Sequence, residues 1–155
     1  MPFYKILVPF DASELSIKAV EQAIELAREN QTQVFILHVI REIPLTTRFS
    51  RIELRNQEVV ISPYSKKVYD ELRDDMNITL EEQKKRYGHY NISISTEIRI
   101  GDPAEIIVEF TKQNGIDLIV MGSIGLKGIT AMIKKLGSVA RSVAEEVTCP
   151  VLIMR

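Results

Sequence analysis

The sequence predicts an α/β domain with a doubly wound parallel sheet, and three features carry that prediction. Short continuous apolar runs, such as Ile6–Val8 and the DLIVM segment, alternate with amphipathic stretches of helical period. The strand–helix–strand alternation persists to the end of the chain, which implies right-handed crossovers and a parallel sheet covered by helices on both faces. The length of 155 residues suits one core, so a single domain over residues 1–155 is expected. Five strands are counted, and the order 3-2-1-4-5 is expected of them.

YKILVPF opens the chain with a strand buried on both faces. In DASELSIKAVEQAIELAREN the period changes. Leu15, Ala19, Ala23 and Leu26, with Ile17, Val20, Ile24 and Ala27, form a helical stripe behind a cap at Asp11 or Ser13. QVFILHVI returns to a buried strand. A long connection over about 41–63 follows, punctuated by Pro44 and Pro63, and connections of that length in a compact domain are usually functional or mobile. SKKVYDELRDDMNITLEEQKKRYG reads as a charged surface helix with Val68, Leu72, Met76, Leu80 and Tyr87 turned inward, and NISISTEIRI as a strand with one more exposed face. GDPAEIIVEFTKQNG has Asp102 as N-cap, Pro103 in the first turn and Gly115 as a C-terminal stop. The strand DLIVM, a glycine-rich loop, the helix GSVARSVAEEV and the strand PVLIMR complete the chain.

Composition excludes several classes. Hydrophobic residues at 45% and charged residues at 26% describe a globular, ordered protein. A formal net charge of −1 makes no electrostatic case for a nucleic-acid partner. The single cysteine, Cys149, excludes an intrachain disulfide and any CxxC pattern. The apolar run at the N-terminus is too short to span a bilayer and lacks a signal-like cleavage region, so no membrane association and a cytoplasmic location are expected.

Four of the seven glycines, Gly122, Gly125, Gly128 and Gly137, fall between the fourth strand and the helix after it. A helix beginning at Gly137–Ser138 directs unpaired N–H groups and a partial positive charge toward that loop. Such donors suit phosphate oxygens. Three or four charge-assisted hydrogen bonds supply on the order of 5–10 kcal/mol before binding costs. FDAS follows the first strand, and if the first and fourth strands are neighbours the two loops meet over one crevice. The spacing is neither a Walker loop nor a dinucleotide fingerprint. The residues alone leave open whether the glycines cradle phosphate or simply make turns and caps.

Taken together, KILVPFDASELSIKAVEQAIELA, FILHVI, GDPAEIIVEF, IDLIVMGSIGLKG and LGSVARSVAEEVTCPVLIMR resemble the universal stress protein family along almost the whole chain. The resemblance implies an adenine-nucleotide-binding domain, usually homodimeric, that serves stress tolerance or regulation rather than metabolic turnover. Its nucleotide-binding members carry G-x2-G-x9-G-S/T after the fourth strand. Here Gly122-Ser123-Ile124-Gly125 matches the opening and Gly137-Ser138 the close, with eleven intervening residues that include Gly128. By position, the resemblance places Pro9, Phe10 and Asp11 at the adenosine end, with Asp11 near ribose or a phosphate-bound Mg²⁺. Val39 then contacts adenine, Met121 and Gly122 lie under the ribose, and Gly125, Gly137, Ser138 and Val139 hold phosphates of ATP, ADP or AMP.

No catalytic residue is assigned. Neither a general base nor an arginine finger is in evidence, so any ATP hydrolysis is expected to be slow. His38 reads as a structural histidine. The apolar last strand, left at a sheet edge, favours a homodimer through that edge. The alternative reading is a dimeric interaction module of the same fold that binds no nucleotide.

Overall fold

The computed structural model describes residues 2–42, 58–125 and 136–155, with the backbone alone over 58–65. Strand β1 (Lys5–Pro9) leads through helix α1 (Glu14–Arg28) to β2 (Gln33–Arg41). Helix α2 (Glu58–Arg86) and a 3-10 turn (Gly88–Tyr90) precede β3 (Ile94–Gly101). Helix α3 (Pro103–Asn114), β4 (Leu118–Gly122), α4 (Ser138–Glu146) and β5 (Val151–Met154) follow. All pairings are parallel, as the alternation of elements predicts, and the order is the expected β3-β2-β1-β4-β5.

Alternation along the central strands divides the interior into two cores. Ile6 and Val8 of β1, with Val34 and Ile36 of β2, pack against Ala19, Val20, Ala23 and Ile24 of α1 and Leu80 of α2. Leu7, Leu37, Ile119 and Met121 point the other way, onto Ile107 and Phe110 of α3 and Ala140 and Val143 of α4. Residues buried on both faces account for the continuous apolar runs of β1 and β4. Each fully buried aliphatic side chain contributes about 1.5–3 kcal/mol.

Local signals set the helix ends. Ser13, rather than Asp11, is the N-cap of α1, its hydroxyl accepting from the Ser16 N–H at 3.2 Å. The Asp102 carboxylate caps α3 through the Glu105 N–H at 3.0 Å, and Gly115 closes that helix at φ 62°. The connection expected over 41–63 is narrower on both sides, because β2 runs to Arg41 and α2 begins at Glu58. Pro63 therefore lies inside a helix, forgoing one backbone rung, rather than marking its boundary. The interior of that connection, 43–57, lies outside the described residues. Among the described residues no helix is long and apolar enough to cross a membrane. Cys149 sits half-buried before β5, where desolvation pushes its thiol pKa up and disfavours the reactive thiolate.

Candidate functional site

Crossovers from β1 wind toward β3, whereas β4 and β5 extend the sheet on its other side. The loops after β1 and β4 therefore part at the carboxyl end of the sheet, the place where such folds open a crevice. A cleft of about 930 Å³ lies there.

Its first wall is built by the residues after β1. The Phe10 N–H donates to the Leu37 carbonyl at 2.8 Å and so extends the strand ladder one residue past Pro9. The chain then turns tightly. The Asp11 carboxylate accepts from the Ser13 N–H at 3.0 Å, while Ala12 adopts φ 63°, a left-handed conformation that costs a residue with a Cβ about 1–2 kcal/mol. This strained residue stands between a cleft side chain and a helix cap. Behind it, the Nδ1–H of His38 donates to the Phe10 carbonyl at 2.7 Å and ties the end of β2 to the same loop, the structural role read from the sequence.

The opposite wall comes from β4 and the chain on either side of 126–135, which lies outside the described residues together with Gly128. At Gly122 a Cβ would stand 2.9 Å from the Leu15 Cβ, so the missing side chain lets α1 settle on the end of β4. At Gly125 a Cβ would stand 2.6 Å from the Asp11 carboxylate. The loops after β1 and β4 thus touch through Asp11 and Gly125. The Ser123 N–H donates to the Met154 carbonyl at 2.8 Å, and the Ser123 carbonyl accepts from the Gly137 N–H at 2.7 Å.

That last bond alters the donor set. The Gly137 amide, expected to face phosphate, is turned inward because the loop closes on itself. The first-turn amides of the helix begin one residue later. Gly137 caps α4 without a side-chain hydrogen bond, in contrast to Ser13 and Asp102 on α1 and α3. The first-turn amides of Ser138, Val139 and Ala140 have no intrahelical acceptor, and all three residues line the cleft. Chemically, a helix start of this kind suits an anion, at the positive end of the helix dipole.

Pro9, Phe10, Asp11, Val39, Met121, Gly122, Ser123, Gly125, Gly137, Ser138 and Val139 all border this one cleft. Sequence reasoning missed the contribution of α2, which adds Leu72, Asp75, Met76 and Thr79. Their spacing marks one helix face, and of the two that the sequence turns inward, Leu72 and Met76, Met76 does pack against the core. The lower half of that stripe does enter the core at Leu80 and Tyr87, whereas Leu72 remains 45% exposed. Among the described residues, no group of three or more His, Cys, Asp or Glu side chains could hold a metal ion.

The fold and the cleft define a doubly wound α/β protein with a helix start opening into a cleft at the reversal of its sheet. The model of the universal stress protein family matches residues 2–155, and the chain belongs to that family. Universal stress protein YxiE of Bacillus subtilis is 36% identical over 153 residues, covering 99% of each chain. The solved structure of MJ0577 from Methanocaldococcus jannaschii has a TM-score of 0.81 at 27% identity, covering 99% of this chain and 96% of its own. A universal stress protein from Archaeoglobus fulgidus, solved in complex with dAMP, shares the fold with a TM-score of 0.63 at 20% identity over the full length of both chains.

Proposed function

We propose that this protein binds an adenine nucleotide and acts as a stress-response or regulatory domain in the cytoplasm. The observation that carries the reading is the first turn of α4, which Gly137 caps without a side-chain hydrogen bond and which opens into a cleft that also presents Asp11. Phosphates take the amides of Ser138 and Val139, and the Ser138 hydroxyl adds a further donor. Asp11 accepts from ribose hydroxyls or holds a Mg²⁺ that accompanies ATP, and adenine lies toward Val39. The dAMP complex of the Archaeoglobus fulgidus relative supports this reading for the family's fold. The protein works as a homodimer through β5, an edge strand on which Leu152 is 39% exposed.

Titration calorimetry with ATP and AMP tests the site. Ser138→Asp places a carboxylate where phosphate belongs while favouring the helix dipole. It is expected to weaken binding at least about tenfold, the order of one lost charge-assisted hydrogen bond, with the melting temperature unchanged or raised. Unaltered affinity overturns the assignment.

A second reading is favoured by one observation. The close contacts at Gly122, Gly125 and Gly137 give each glycine a packing use without any ligand. On that reading the protein is a dimeric interaction module that binds no nucleotide. Mass spectrometry of the denatured, purified protein distinguishes the two by the presence or absence of co-purified adenine nucleotide.

A further inference from the structure

We propose that Leu72 and Met76, one turn apart on α2, form the wall against which the nucleobase packs, and so set how tightly the base, as distinct from the phosphates, is held. The inference rests on the nucleotide reading above and assigns it residues outside the glycine loop and the loop after β1.

A lone exposed leucine on a surface helix is ordinary. Leu72 differs because it borders the cleft, whereas Ile78 on the same helix, 63% exposed, does not. Met76 is half-buried and packs against the core beneath α1 and α2, so it anchors the ridge that Leu72 continues toward solvent. The ridge stands at the end of the cleft away from the anion donors. Those donors belong to α4, which follows β4, and β2 is two strands from β4 with β1 between them, about 10 Å across the sheet. Helix α2 packs on β2 and β3. A ligand with its phosphates at Ser138 and Val139 therefore extends its other end past Asp11 toward β2 and α2.

The chemistry of that end suits a flat ring. Val39 and Ile40 of β2 face it with Leu72 and Met76 of α2. The Thr79 hydroxyl donates to the Asp75 carbonyl of its own helix at 3.4 Å, which commits its proton within α2. Asp75 and Arg41 bring one charge of each sign to the cleft, and beside them Val39, Ile40, Leu72 and Met76 offer apolar contact, with the polarizable thioether of Met76 available to an aromatic ring. A purine meets those demands. A bare sugar has no flat apolar face to offer them.

The test uses calorimetry on the full chain with two ligands, ATP and inorganic tripolyphosphate. Leu72→Ala and Met76→Ala are each expected to weaken ATP binding about five- to tenfold, in keeping with the apolar contact removed, and to leave tripolyphosphate binding unchanged. Ile78→Ala serves as the control and is expected to change neither. Wild-type protein that binds neither ligand overturns the nucleotide reading itself. Wild-type protein that binds ATP, with Leu72→Ala binding it equally well, overturns the base wall alone. A Leu72→Ala variant that loses both ligands in equal measure also overturns it, because the residue would then support the cleft as a whole and not the base.

Discussion

Ala12 is held at φ 63° between Asp11, which borders the cleft, and Ser13, which caps α1. The left-handed region favours glycine, so the choice of alanine carries a measurable cost. Ala12→Gly is expected to raise the melting temperature by roughly 2–4 °C, the shift that about 1 kcal/mol produces in a domain of this size. Ala12→Val is expected to lower it, and thermal denaturation followed by circular dichroism checks both. The glycines illustrate what the sequence could and could not show at this scale. Their clustering was legible as a demand for close approach. The partners were not, because Leu15 against Gly122 and the Asp11 carboxylate against Gly125 are contacts between elements that are distant in sequence. For the same reason nothing local announced that the Gly137 N–H is spent on the Ser123 carbonyl.

Among the elements, α3 was the most legible. Its cap, its first-turn proline and its terminating glycine coincide, and the structure uses Asp102, Pro103 and Gly115 in those roles. Asp102→Ala is expected to cost about 1 kcal/mol in chemical denaturation, the usual value of a lost N-cap. A cost near zero would mean that solvent satisfies the α3 amides as well as the carboxylate does. Helix α2 was only partly legible. A period of 3.6 residues identifies an inward stripe but does not separate the part that meets a sheet from the part that overlooks an open cleft. Leu80 and Leu72 obey the same spacing and end in different surroundings, one buried and one 45% exposed. The start of α2 was also displaced, since Pro63 reads as a boundary although the backbone carries it within the helix.

For the whole molecule, the reversal in strand order decides where function can reside. It sets the loops after β1 and β4 side by side and gives the cleft one wall from each end of the chain. The alternation of strands and helices made the parallel sheet readable before any side-chain contact was known, but the placement of β4 beside β1 was only a condition at that stage, because the same alternation fits another strand order. The edge formed by β5 makes a separate demand. Leu152→Lys, introducing a charge on the exposed side of that strand, is expected to shift a dimer toward monomer in sedimentation velocity at micromolar concentration while preserving the far-ultraviolet spectrum. Sedimentation of that variant as an unchanged dimer would place the subunit contact elsewhere.

The position of β1 between β2 and β4 has a consequence for biosynthesis. As the chain leaves the ribosome, the first three strands can pair and cover one face with α1 and α2, yet one flank of β1 stays bare until residues 118–122 emerge. The amides of α4 arrive later still. A nascent chain is therefore open to edge-on association at its centre, and the finished sheet closes that opening from within, with a strand made late.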